Sequence, residues 1–254
     1  MKRVFLFLSV AALCMIAACT REMKTATAAD QGKIDLEGYE GYGCGWSYSM
    51  EYVTSAKSQE IADNINRAII QSALYTDLTD KAPVISTCCQ QWVEGIKTEY
   101  DEFAGEILPE LDEGDEPWMM NWSYSMDGSF TTGCASRNLR TYSVMDDSYS
   151  GGAHGTTINT FLVFDLTTGR QITEADLFRD GFEEDIAEPL YDKVLENLDE
   201  EAWDAIYEVP TPNGNFSVSE QGLTWHYNQY EIAPYVVGPL SAEFTWDELA
   251  PYLK

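Results

Sequence analysis

The chain has 254 residues, a formal net charge of −28, and a composition that is 44% hydrophobic and 13% aromatic. That much apolar and aromatic material excludes a disordered chain and supplies the core of one large or two small domains. The negative field repels phosphate backbones, which excludes nucleic acid as a partner and favours cationic ones; solubility is the plainer use of the same charge.

Lys2 and Arg3 precede an apolar run at residues 4–18, interrupted only by Ser9. The run is shorter than the roughly 20 residues a membrane-spanning helix needs. Its charge, length and small-residue end are those of a signal peptide. Ile16-Ala17-Ala18-Cys19 resembles the lipobox of bacterial lipoproteins: an aliphatic residue, two small ones, then the cysteine that receives the lipid. The expected organisation is a signal peptide at 1–18, Cys19 as lipid anchor, and a polar, unpatterned tether through residues 19–33. An ordinary cleavage site nearby, leaving Cys19 unmodified, is the alternative. The protein is thus expected in the cell envelope, lipid-anchored to a membrane without crossing it. Thr20, a non-acidic residue after the anchor, favours the outer membrane of a Gram-negative host.

Residues 36–53 open with Gly and Tyr and then alternate at Trp46, Tyr48 and Met50, the period of a strand. From residue 55 the spacing becomes three and four, at Ile61, Ile65, Ala68, Ile69 and Ala73, which predicts a helix to about residue 75. A longer helix is predicted from Asp80, an N-cap, with Pro83 in its first turn. Its stripe is Val84, Cys88, Trp92, Ile96, Tyr100, Phe103 and Ile107. The acidic stretch 110–117 predicts a loop and a boundary dividing residues 34–112 from 113–254.

Beyond it, Trp122-Ser123-Tyr124-Ser125-Met126 repeats the words of Trp46-Ser47-Tyr48-Ser49-Met50, and Asp127-Gly128 is expected to turn or bulge the chain. Strands follow at 138–149 and 158–166, a turn at 167–170, and a helix start at Thr173 with Asp176 three residues on. Helical spacing over 182–207 is kinked at Pro189, and short strands at 216–218, 223–227 and 240–244 end the chain. Strands, helices and strands without a repeating βαβ rhythm indicate an α+β fold, with a mostly antiparallel sheet, helices packed on one side, and two sub-domains.

Four cysteines fall in the folded part: Cys44, Cys88, Cys89 and Cys134. In an oxidising envelope an even set predicts disulfides. Adjacent Cys88 and Cys89 face different directions on a helix, so bonds from this pair to Cys44 and Cys134 are expected, in either order, with four buried free thiols as the alternative. There is no C-x-x-C, and His154 and His226 have no ligand-like spacing, so neither metal nor cofactor is expected.

The sequence carries no G-x-S-x-G elbow, P-loop, H-E-x-x-H or dinucleotide-binding glycine pattern. Carboxylates are too numerous for any one pair to mark a glycosidase. Two segments stand out. In Tyr149-Ser150-Gly151-Gly152-Ala153-His154-Gly155 a histidine is displayed among small residues, with glycines able to take positive φ. The other is the aromatic run at residues 225–235, from Trp225 and His226 to Tyr230, Glu231, Pro234 and Tyr235. As residues alone, a tight turn with a satisfied histidine and an aromatic strand end account for both segments.

Those segments, with Asp165-Leu166-Thr167-Thr168-Gly169 leading into Asp176-Leu177-Phe178, resemble the extracytoplasmic domain of the RsiV-type anti-sigma factors. They also resemble the N-terminal part of the PdaC-type peptidoglycan deacetylases; the match covers roughly residues 122–254. The resemblance implies a C-terminal α+β domain shaped like a small lobe of the Hsp70-type ATPases, preceded by a smaller domain over about 36–110. ATP binding is not implied, since no phosphate loop is present. In the anti-sigma factors this domain binds lysozyme, and in the deacetylases catalysis resides in a separate module. Neither a sigma-binding segment nor deacetylase motifs are found here. The expectation is a non-enzymatic recognition domain for a cationic muramidase of the lysozyme type or for peptidoglycan fragments. The ligand is expected at Tyr149, Gly151, Gly152, His154, Tyr230, Glu231, Pro234 and Tyr235. The alternatives are a glycan-acting enzyme using carboxylates and His154, and a scaffold lipoprotein of the envelope.

Overall fold

The computed structural model describes residues 23–74, 84–112 and 114–254; the signal peptide, Cys19, Asp80 and Pro83 lie outside them. Strands β1 (Lys24–Asp35) and β2 (Gly43–Ser55) lead into helices α1 (Gln59–Ala73) and α2 (Ile85–Ile107). Then come β3 (Asn121–Cys134), β4 (Leu139–Ser150), β5 (Thr156–Asp165) and β6 (Gln171–Ile172), which complete a six-stranded sheet in chain order. β2 and β3 run parallel, and α1 and α2 supply the crossover that a parallel pair requires; the other ladders are antiparallel. Helices α3 (Glu174–Leu177) and α4 (Phe182–Leu195) precede a three-stranded antiparallel sheet of β7 (Phe216–Val218), β8 (Gly222–Tyr227) and β9 (Leu240–Thr245), followed by α5 (Trp246–Leu249). The architecture is α+β.

Strand alternation decides the layering. Tyr48, Met50, Met126, Tyr142, Val144, Leu162 and Phe164 share the front face of the large sheet. Helices α1 and α2 cover it with Ile61, Ile65, Ile69, Ile85, Cys89 and Val93. Ser58 starts α1 by accepting the Ile61 amide, and each fully buried isoleucine below it contributes about 1.5–3 kcal/mol. A second core joins α4 (Phe182, Ile186, Leu190, Val194) to Trp225, Tyr227, Ala242 and Phe244 of the small sheet.

Several expectations are corrected. Residues 24–33 are not tether but most of β1, an edge strand bonded along its length to β2. An edge strand with one half-exposed face needs little hydrophobicity, so Ala26, Ala28 and Ile34 toward the helices suffice. The sheet also crosses the boundary expected at 110–117, since β2 before it pairs with β3 after it. Asp127-Gly128 runs straight on within β3; glycine is needed because a side chain there would strike the Tyr142 hydroxyl and Met50. The buried stripe of α2 is Ile85, Cys88, Cys89, Val93, Ile96, Tyr100 and Ala104, leaving Val84 exposed. The helix at 182–207 ends at Leu195, with a 3-10 segment at Glu200–Ala205.

The expected disulfides are absent: Cys44, Cys88, Cys89 and Cys134 are all free and buried. Cys44 packs beside Ile96 and Tyr100, two to three turns along α2 from Cys88, and Cys134 belongs to the core of the small sheet. A disulfide needs Cα atoms within about 7 Å, which three separate cores do not provide. Burial pushes the Cys44 thiol up to about 11 and Cys89 up to about 12, so these cysteines act as small apolar core residues.

The small sheet meets the back face of the large one through polar side chains. Thr141 of β4, fully buried, donates to the Val218 carbonyl (3.3 Å) and accepts its amide (3.0 Å), satisfying the edge of β7. Beyond the reach of β6, the Asn215 and Asn228 side-chain oxygens accept the amides of Phe161 (2.8 Å) and Asn159 (2.7 Å) on β5. Both asparagine amides donate to the Asn159 carbonyl, at 2.9 and 3.1 Å. Beside them the His226 ring stacks on Phe161 with centroids 3.8 Å apart, and its Nε2 meets the Ser217 hydroxyl at 2.8 Å. His226 is thus a satisfied structural histidine, and burial holds it down to about 4.

A histidine neutral in the fold and protonatable when unfolded destabilises the protein as pH falls from about 6.5 toward about 4. The full window corresponds to about 3 kcal/mol. Urea unfolding across this range should show wild type losing stability more steeply than His226→Phe. Parallel pH profiles for the two proteins would contradict the buried neutral ring.

Candidate functional site

The small sheet covers only part of the large sheet's back face, where Leu139, Thr141 and Val163 lie beneath it. The remainder is open. There the register aligns Gln31, Ser47, Ser125, Asp147 and Thr157 across β1 to β5. A second row, Lys33, Gly45, Ser123 and Tyr149, runs beside it. Together with Gly155 and Tyr235 these residues line a groove of about 780 Å³. The Thr157 hydroxyl hydrogen-bonds the Asp147 carboxylate, and Lys33 is ion-paired with Asp35 at 2.7 Å. Asp146 points to the other face; burial first, then the charge of Asp147, raises its pKa.

At the β4–β5 end the groove meets an aromatic wall. His154 stacks on Tyr235 (3.9 Å, 18°), and Tyr230 leans on both, with centroids 6.1 and 5.7 Å away. His154 Nδ1 lies 3.0 Å from the Gly155 carbonyl, which requires a proton there; Nε2 then accepts the Tyr230 hydroxyl at 3.1 Å. Tyr230 is held at φ +65°, a left-handed conformation that a bulky residue rarely adopts, and its carbonyl accepts the Tyr207 hydroxyl. Tyr149 is fixed by its own hydroxyl bonded to the Gly152 carbonyl, 3.1 Å.

The structure therefore brings Tyr149, His154, Tyr230 and Tyr235 together. Gly151 belongs to the scaffold: φ is +81°, and a side chain would stand 2.7 Å from the Met119 carbonyl. Gly152 has positive φ with open space around it. Glu231 serves the loop, its carboxylate taking the Asn228 amide (2.8 Å) and Asn213 Nδ2 (2.6 Å), and Pro234 precedes the 3-10 turn Tyr235–Val237. The floor residues Gln31, Lys33, Ser47, Ser123, Ser125, Asp147 and Thr157 escaped the sequence reading. For Ser47, Ser123 and Ser125 the signal was the serine at every second position of the two repeated words, which puts hydroxyls on one face of both strands; the other four lie outside those words.

Residues 175–247 match the model of DUF3298, a family described as protein of unknown function. The match includes the small sheet and Tyr230 to Tyr235, but none of the strands forming the groove floor. A crystal structure of a DUF3298 family member from Bacteroides fragilis superposes with a TM-score of 0.78 at 20% identity, covering 92% of this chain and 95% of that one. A DUF3298 family protein from Pseudomonas aeruginosa PAO1 gives 0.63 at 16% identity, with coverage of 92% and 96%. At these identities the likeness is one of fold. No curated protein matches the chain.

Scaffold and wall separate on mutation. Gly151→Ala should lower unfolding free energy by about 1–3 kcal/mol, the cost of forcing a side chain into a left-handed, crowded position. His154→Ala, at an exposed position, should cost no more than about 1 kcal/mol. Equal losses in urea unfolding would show that His154 is equally part of the scaffold.

Proposed function

We propose that this chain is a non-enzymatic, lipid-anchored recognition domain of the bacterial cell envelope that holds its ligand in the groove on the back of the six-stranded sheet. The observation that carries this reading is the groove: concave, polar-floored, and bounded by aromatic rings locked before any ligand arrives. Its chemistry favours binding over turnover. Both nitrogens of His154 are engaged, and among the described residues the groove presents one carboxylate, Asp147, where glycoside hydrolysis uses two. Envelope placement and anchoring rest on the lipobox at Cys19, and kinship with the RsiV and PdaC domains rests on the Tyr149-to-Gly155 and Tyr230-to-Tyr235 motifs.

Peptidoglycan fragments suit a groove of this size. A cationic muramidase is the second reading, favoured by Tyr230 and Val236, 54% and 89% exposed beside the groove on a chain of net charge −28. Calorimetric titration of the mature protein in detergent with muropeptides and with lysozyme distinguishes them. At least one should bind saturably, weakened by about 1 kcal/mol or more in Tyr235→Ala, with no peptidoglycan hydrolysed. Turnover that vanishes in Asp147→Asn would replace this reading with an enzyme.

A further inference from the structure

The groove is built across the strands rather than along them. Two or three residues of each of β1 to β5 line it, from Gln31, Gly32 and Lys33 at one edge to Gly155, Thr156 and Thr157 at the other. Four interstrand steps of about 4.8 Å give a floor roughly 19 Å long. A ligand that fills it is extended, and much longer than a single sugar, amino acid or base.

Besides Gln31, Lys33, Asp147 and Tyr149, the floor is made of Gly45, Ser47, Ser123, Ser125, Gly155 and Thr157. These side chains are absent or short, so a ligand can lie close to the sheet. The hydroxyls both donate and accept, the mixed pattern that a polyol presents in return. In the two side-chain rows of this floor Tyr149 is the one large apolar residue, so an extended peptide would meet hydroxyls where its apolar side chains need partners. Its charges are one lysine, already paired with Asp35, and one carboxylate, so within a strongly acidic molecule this surface is close to neutral. A polyanion would face the field of the whole chain, and a polycation would gain little from Asp147 alone. Thr157 occupies Asp147 on one side of the carboxylate, which has a second oxygen able to accept from ligand hydroxyls. At the β4–β5 end Tyr149 and Tyr235 border the floor, each pinned by a contact outside it: Tyr149 by the Gly152 carbonyl, Tyr235 by the His154 ring. Rigid aromatic rings at the end of a hydroxyl-lined trough match the apolar C–H face of a pyranose.

From this we infer that the groove binds a neutral, extended oligosaccharide lying across β1 to β5, with the Ser47–Ser125–Asp147–Thr157 row on its hydroxyls and Tyr149 and Tyr235 against a terminal ring. This inference rests on the reading of the groove as a ligand site and adds its chemistry and direction.

The probe is the N-acetylglucosamine tetramer, with the monomer for length, oligolysine for charge and lysozyme for a protein ligand, titrated into the mature protein in detergent. The tetramer should bind, at least about tenfold tighter than the monomer, with an affinity unchanged between low and high salt. Ser125→Val keeps a residue that strands favour and removes a floor hydroxyl; it should weaken the tetramer about tenfold with no change in Tm. If that variant loses stability, the isosteric Thr157→Val provides the same comparison. Absence of tetramer binding overturns the inference. If lysozyme then still binds, with Tyr235→Ala sensitivity and indifference to Ser125→Val, the recognition reading stands without its saccharide. Binding by oligolysine alone, lost at high salt, overturns it equally.

Discussion

Three polar side chains, Thr141, Asn215 and Asn228, stand in for strands that are not there. Each sheet ends in an edge whose amides and carbonyls would be costly to bury unpaired. Thr141 gives the edge of β7 both a donor and an acceptor, and the two asparagines do the same for β5 above the point where β6 stops. Because these contacts fix where the small sheet sits, they also fix how much of the back face it leaves bare. The groove is that remainder. His226, clamped between Phe161 and Ser217 in the same junction, fills the seam with a neutral ring.

The aromatic wall depends on the same seam from the other side. The chain leaving β8 through Asn228 goes directly into Tyr230, whose left-handed backbone aims its hydroxyl at His154. Anchoring Asn228 to β5 and to Glu231 supplies the constraint that keeps a bulky residue in a conformation it would leave if free. Tyr235, stacked on His154, is then delivered to the groove rim. The motif residues therefore fall into two groups. Gly151, Gly152, Glu231 and Pro234 shape the two loops, while Tyr149, His154, Tyr230 and Tyr235 present rings.

How much of this could be read from the chain depends on burial. Ile61, Ile65 and Ile69 announce α1 because one helical face must be apolar, and the alternation of Trp46, Tyr48 and Met50 announces β2 for the same reason. β1 carries no such mark, since an edge strand of Ala, Thr and Asp owes its existence to backbone pairing with β2. The parallel pairing that lays the two Trp-Ser-Tyr-Ser-Met words side by side, offset so that Trp46 meets Tyr124, is a long-range choice invisible in either word. Without it the serines look like solvent-facing positions; with it they become one floor. The cysteines misled for a chemical reason: their even number and an expected envelope setting suggest bonds, but in separate cores thiols serve as small apolar groups.

The seam is open to direct measurement by amide hydrogen exchange. Asn159 and Phe161 lie on β5 beyond β6, where an unpaired edge amide would exchange rapidly. With Asn228 and Asn215 accepting them, both amides should be protected to the level of neighbouring core strand positions. Asn215→Ala should release Phe161 selectively, leaving the β4-facing amides of the same strand slow. Exchange of Phe161 in the wild type as fast as an exposed loop amide would contradict the account, because the small sheet would then not be held where it defines the groove.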